Sequence, residues 1–122
     1  MPQLAQDRPI YLQLKEYIEG QMLSGQIGAD EKVPSTNEMA AFFGVNPITA
    51  QKAMGLLAEE GLIYKKRGVG MFAAADAQER IRAHYQQLFA GQSVLPMVRR
   101  AKSLGFTRAQ LQKTIDTVWE EE

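Results

Sequence analysis

The sequence predicts an α+β protein. Three helices and a two-stranded wing come first, and a short all-α region follows. Three segments lead to that reading. Val33-Pro34-Ser35-Thr36-Asn37-Glu38-Met39-Ala40 opens a short helix. Gly44-Val45-Asn46-Pro47 makes a tight turn into a second one. Glu60-Gly61-Leu62-Ile63-Tyr64-Lys65-Lys66-Arg67-Gly68-Val69-Gly70-Met71-Phe72 has the apolar flanks, cations and glycines of a basic hairpin.

Each element has a local cause. Residues 10–24 form the first helix, with Ile10, Leu14, Tyr17, Ile18 and Met22 as its expected buried face and Pro9 just upstream. A loop, Ser24 to Asp30, follows. Ser35 precedes Glu38 by three positions, a capping box that starts the second helix, and Pro34 discourages helix before it. Met39, Ala40, Phe42 and Phe43 are its apolar positions, and Gly44 can end it in the left-handed conformation. Asn46 is suited to N-cap and Pro47 to the first helical position of the third helix. Ala50, Ala53, Met54, Leu57 and Ala58 recur at helical spacing as its buried face, and Gly61 stops it. In the hairpin, Leu62–Tyr64 run up, Lys65–Gly70 make the tip and Met71–Ala73 return. Gly68 and Gly70 permit the turn. These elements give a first domain over residues 8–73.

Residues 74–122 read as helical throughout. Asp76 can cap a helix to Phe89 or Ala90, striped by Ile81, Tyr85, Leu88 and Phe89. Gly91-Gln92-Ser93 is expected to break it, with Ser93 capping the next helix to about Leu104. Leu95, Val98 and Ala101 would face inward there, and Pro96 sits harmlessly in the first turn. Gly105 breaks that helix. Thr107 and Gln110 form another capping box, opening a last helix striped by Leu111, Ile115, Val118 and Trp119. So small a unit cannot keep its apolar stripes dry alone, and packing against a second copy is the simplest solution. Ile81, Tyr85, Leu88, Phe89, Leu95, Val98, Leu111, Ile115, Val118 and Trp119 are the candidate dimerisation residues.

Two helices joined by a tight turn and followed by a basic hairpin are the plan of a winged helix-turn-helix, whose second helix enters the major groove of double-stranded DNA. The exposed face of that helix carries Ile48, Thr49, Gln51, Lys52 and Gly55. Gln51 can pair with adenine or a phosphate, and Lys52 can reach guanine or a phosphate. Asn46 and Thr49 are short donors for backbone phosphates. Lys65, Lys66 and Arg67 beside the turn offer a contact to phosphates or the minor groove. A two-fold dimer then matches a palindromic operator with half-sites about 34–36 Å apart.

Composition narrows the alternatives. The chain has 122 residues, 45% hydrophobic, so a folded core is expected and wholesale disorder is not. It has no Cys and one His, His84, which excludes disulfides and thiolate metal sites and leaves no metal or other cofactor expected. No apolar run approaches the roughly 20 residues that span a bilayer, and no signal peptide is visible, so a cytoplasmic location is expected. Formal net charge is zero, which argues against a generic nucleic-acid coat but not against a sequence-specific binder with locally placed cations. Glu59 and Glu60 lie at the far end of the third helix. No Ser-centred elbow, P-loop or paired metal ligands occur, so an enzyme is not expected. The rival is a winged-helix protein-interaction module. It has no need of cations on both helix and hairpin.

From Pro9-Ile10-Tyr11 to the terminal helices, and most strongly over Val33–Ala40, Gly44–Ala53 and Gly61–Phe72, the sequence resembles the GntR family of bacterial transcription regulators. Asn46-Pro47 and the short tail look most like its YtrA subgroup. The resemblance implies DNA contacts from Ser35, Thr36, Asn46, Thr49, Gln51, Lys52, Arg67, Gly68 and Gly70. It also implies a helical dimerisation tail and regulation, chiefly repression, by occupancy of an operator. Asn37 stands where the family usually has Arg, Gln51 where many members have Arg, and Ile48 replaces a typically polar residue. These departures bear on the operator sequence. The family often couples binding to a small metabolite. In so short a tail, the candidate lining of an effector site is Arg82, Tyr85, Phe89 and Trp119.

Overall fold

The computed structural model describes residues 2–122. Six helices and one hairpin follow in the order α1 (Ile10–Leu23), α2 (Thr36–Phe43), α3 (Pro47–Glu59), β1 (Ile63–Lys66), β2 (Gly70–Ala73), α4 (Ala77–Phe89), α5 (Leu95–Ser103) and α6 (Arg108–Glu121). The chain divides into two compact units, the first ending at Arg82 and the second running over Ala83–Glu122.

The first unit is the expected three helices and wing. Leu14, Ile18 and Met22 of α1 meet Met39, Ala40 and Phe43 of α2 and Ala50, Ala53, Met54 and Leu57 of α3 in one core. The two alanines of α3 leave room for close helix packing against α1. Leu62, Ile63 and Ala73 close the core from the hairpin, and Val33 closes it from the loop before α2. β1 and β2 pair antiparallel, with Ile63 opposite Ala73 and Lys66 opposite Gly70. Residues 30–33 extend this ladder: Lys32 bridges to Phe72, Val33 N–H donates to Met71 O at 2.9 Å, and Ala73 N–H donates to Glu31 O at 2.8 Å.

Several expectations on this unit need correction. Ile10 is 42% exposed, because α1 turns its first residue outward. Ala58 is exposed as well, one position beyond the buried arc that ends at Leu57. Lys65 and Lys66 lie on β1 and not at the tip, which is Arg67-Gly68-Val69. Phe42 is half-exposed and stacks on Tyr17, with ring centroids 5.7 Å apart.

The compact unit also runs past the hairpin. Ala77 and Ile81, the first apolar positions of α4, are buried in the same core as α1 and α3. Two polar side chains of α4 fasten helix ends beside them. Gln78 donates to Leu23 O at the end of α1, and the Arg80 guanidinium donates to Glu60 O and Gly61 O at the end of α3. Ile81, expected at a dimer interface, is therefore 2% exposed inside the first unit and unavailable to a second copy.

In the second unit, the expected break at Gly91-Gln92-Ser93 is absent. The chain stays helical through a π turn, Ala90–Val94, and enters α5 with right-handed backbone at Phe89, Val94 and Leu95. Ser93 caps nothing, because no helix starts there. Gly105 at φ 82° ends α5, and Thr107 with Gln110 forms the expected capping box at α6. Ala101 is buried, and Leu88, Val98, Leu111 and Ile115 are partly buried. Leu95 is exposed, as are Tyr85, Phe89 and Val118, and Trp119 is 79% exposed.

Candidate nucleic-acid interface

Local chemistry places both helix starts. Ser35 is the N-cap of α2: its hydroxyl oxygen accepts from Glu38 N–H at 3.0 Å, and the Glu38 carboxylate accepts from Ser35 N–H at 3.0 Å. Gly44 ends α2 with φ 64°, and Val45 leads to Asn46. Asn46 Oδ1 accepts from Ile48 N–H at 2.8 Å, and Pro47 opens α3. Capping uses an acceptor in each case. The Asn46 amide hydrogens stay available to donate outward, while the Ser35 hydroxyl also bonds the Glu38 carboxylate. Both helix N-termini also present the positive end of a helix dipole.

On α3, Ile48, Gln51 and Lys52 are exposed and Thr49 is half-buried. Ile48 is 73% exposed, an apolar contact with no protein partner to explain it. The Lys52 ammonium lies 3.9 Å from the centroid of the Tyr11 ring, in the first turn of α1. Sequence reasoning missed Tyr11. It lies on the Leu14–Ile18–Met22 face and packs partly buried against the same core, so apolar periodicity marks it as a core residue and gives no signal of its contact with Lys52. The opposite end of α3 is acidic, about 12 Å along the axis from Lys52 at 1.5 Å per residue. There Lys15 pairs with Glu60 at 2.9 Å and with Glu19 at 3.5 Å, and Glu19 is 4% exposed. Burial depresses the Lys15 ammonium, but the bond to Glu60 and the charges of Glu19 and Glu60 outweigh it and raise its pKa. Two carboxylates against one ammonium leave this end net negative, and Lys52 is the cation near the start of α3.

The hairpin does not present its cations as one patch. Residues alternate across a strand, so Lys65 and Lys66 point to opposite faces. Lys66 Nζ lies 4.5 Å over Phe72, which also stacks with Tyr64. Lys65 pairs in register with Met71. Arg67 stands at the tip with Gly68, whose φ of 76° suits glycine. Val69 N–H donates to Lys66 O at 2.9 Å and closes this three-residue loop. Gly70 is half-buried with φ 140°. At the base of the hairpin the Tyr64 hydroxyl donates to Asp30 Oδ1 at 2.7 Å. That bond raises the phenol's pKa.

Thus Ser35, Thr36, Asn46, Thr49, Gln51 and Lys52 sit in the first turns or caps of α2 and α3. Lys65, Lys66, Arg67, Gly68 and Gly70 are spread along the hairpin. The suggested effector residues line none of the clefts described inside the units. One, of about 550 Å³, lies in the first unit between α1 and α2 against Tyr17, Ile18, Val33, Met39 and Phe42. In the second unit one cleft, of about 350 Å³, lies between α5 and α6 against Val98, Ala101, Leu111 and Ile115, and another, of about 500 Å³, lies against Leu104, Phe106, Gln110 and Lys113. Among the described residues there is no acidic or His cluster fit for a metal ion, and no helix is long and apolar enough to cross a membrane.

Known proteins share this arrangement. The family described as "Bacterial regulatory proteins, gntR family" matches residues 10–73, more than half of the 122-residue chain. The arabinose metabolism transcriptional repressor of Geobacillus stearothermophilus is 42% identical over 66 residues, 54% of this chain; the chain spans only 18% of that repressor's length. A GntR family transcriptional regulator from Listeria monocytogenes superposes with a TM-score of 0.74 at 27% identity, covering 93% of this chain and 98% of the other. The AraR DNA-binding domain, solved in complex with operator ORX1, superposes with a TM-score of 0.53 at 39% identity, covering 61% of this chain and 90% of that domain. Because the family match extends from α1 through the hairpin and takes in both helix caps, the chain belongs to the gntR family of bacterial regulatory proteins.

Proposed function

We propose that the chain is a sequence-specific DNA-binding transcriptional regulator of the YtrA-like kind, acting as a homodimer that represses by occupying a palindromic operator. The observation that carries this is α3, started by Asn46-Pro47, with Ile48, Gln51 and Lys52 exposed in its first turns and a cationic hairpin in the same compact unit. Gln51 and Lys52 read base edges or hold phosphates. Ser35, Thr36, Asn46 and Thr49 donate to the backbone. Arg67, Gly68 and Gly70 meet the flanking strand, with Lys65 and Lys66 adding charge. The operator complex of the 39%-identical AraR domain supports DNA as the partner. A protein-interaction module is less well supported, because it gives no role to cations on both elements.

Exposed Phe89, Leu95, Val118 and Trp119 on the second unit, with Tyr85, Leu88, Val98, Leu111 and Ile115, supply an apolar surface for a second copy. A small-molecule effector would act on this dimer. Its lining residues, Arg82, Tyr85, Phe89 and Trp119, belong to the same proposal.

Selection from random duplex DNA tests the reading, with wild type beside Lys52→Ala at two salt concentrations. We expect an inverted repeat, lost by the variant and weakened by salt. Wild type that enriches no sequence, with and without an added-metabolite panel, would contradict it.

A further inference from the structure

One exposed cation stands apart from those on α3 and the hairpin strands. Lys32 lies in the extended segment before α2, where its backbone bridges to Phe72 of β2. Its stem crosses the hairpin at Gly70. A Cβ on Gly70 would fall 2.9 Å from Lys32 Cε and 3.7 Å from Nζ, so the end of the lysine side chain lies directly over the space that Gly70 leaves open. The ammonium thereby rests against the hairpin, three residues before the Ser35 cap. It forms no ion pair with any described residue. Glu38 is the acidic group facing it from α2, and that carboxylate is held by Ser35 N–H. The Glu38 pKa is depressed first by that backbone bond and then by the Ser35 hydroxyl, with Lys32 adding a smaller effect through its charge. α2 itself, Thr36 to Phe43, has no basic side chain.

We propose that Lys32 is a phosphate-contacting residue, which supplies at the junction of α2 and the wing the positive charge that α2 lacks. The neutral donors nearby are the first backbone N–H groups of α2. An ammonium beside them turns a dipole-only anion site into a charge-assisted one. Because the Lys32 stem is threaded over Gly70, the same contact ties the wing to the strand bound by α2. The contact reads no base, so it adds affinity without sequence preference. The inference rests on the DNA-binding reading given above.

The test uses the full chain and two labelled duplexes, the selected operator and a scrambled one of equal length, titrated by fluorescence anisotropy between about 50 and 200 mM KCl. Variants are Lys32→Gln, Lys32→Arg and, as a charge control on α6, Lys113→Gln, each checked by thermal melting. Losing one phosphate contact lowers the slope of log affinity against log salt by about 0.9 per protomer, so the advantage of wild type over K32Q should shrink about 3.5-fold per contact across that range. We expect K32Q to weaken both duplexes by the same factor, K32R to restore binding, and K113Q to match wild type. K32Q with wild-type affinity and slope would overturn the proposal. So would a K32Q loss that K32R fails to rescue, since that marks packing at Gly70 rather than charge. Wild type binding neither duplex would overturn the DNA-binding reading itself, and this inference with it.

Discussion

Replacing Arg80 by alanine should loosen the C-terminal end of α3 without touching its exposed first turns. The last carbonyls of a helix have no partner within it. Here the Arg80 fork supplies two bonds from α4, at 2.6 Å to Glu60 O and 3.1 Å to Gly61 O. A buried bond from a charged donor contributes about 1.5–3 kcal/mol. The Arg80 side chain is 45% exposed and water can replace part of each bond, so about 0.5–1 kcal/mol apiece is the fitting figure. The 4.0 Å contact to Asp76 is an exposed pair and adds little. The positive charge at a helix C-terminus adds about 0.3–1 kcal/mol. The total is about 1–3 kcal/mol, or some 4–8 °C of melting temperature per kcal/mol for a unit of this size. Thermal unfolding of the full chain by circular dichroism reads it. Hydrogen exchange at Leu62 localises it, because that N–H donates to Leu57 O at 2.9 Å in the turn that Arg80 clasps. Arg80→Lys keeps the charge but not the fork and should fall between the two. If Arg80→Ala melted within about 1 °C of wild type and left Leu62 protection unchanged, the clasp would contribute nothing. An Arg80→Lys variant equal to wild type would assign the effect to charge alone.

Two further outcomes follow from the same geometry. Ile81→Ala should destabilise the first unit by about 2–5 kcal/mol, as for any fully buried aliphatic residue, while leaving the sedimentation state of the folded chain unchanged. A variant that melts normally but changes sedimentation would return Ile81 to a subunit interface. Glu38 has a folded pKa below its unfolded one because its carboxylate accepts from Ser35 N–H. Its contribution is therefore complete above the ordinary carboxylate range and is lost as pH falls through the depressed folded value. Wild type should lose melting temperature relative to Glu38→Gln as pH falls from about 5 to 2, and parallel curves for the two would show that the capping-box charge contributes no stability.

Helix starts were legible because capping is a negotiation among neighbours in sequence. Ser35 with Glu38, Asn46 with Ile48 and Thr107 with Gln110 each complete their hydrogen bonds within three positions, and all three cap as the residue types require. Gly44 and Gly105 end helices with positive φ for an equally local reason. Lys65 and Lys66 show where a local reading stops. The run of cations announced a basic hairpin, but strand register, which depends on the partner strand, sent the two side chains to opposite faces. Gly91 and Ser93 looked like a break and a cap. Helical hydrogen bonding continues through them as a π turn, which no pattern of single residue types signals.

The sequence by itself determined the order of elements, the caps of α2, α3 and α6 and the exposed chemistry at the start of α3, because backbone hydrogen bonding and apolar periodicity act over a few residues. The tertiary structure alone decided what each apolar stripe and long side chain meets. Ile81 packs against α1 and α3 instead of a second copy, since periodicity marks a face as apolar without naming its partner. Lys52 rests over Tyr11, Lys32 threads past Gly70 and Arg80 clasps the end of α3 for the same reason. Each joins segments far apart in the chain, and only the packing of the helices and hairpin around one core brings them together.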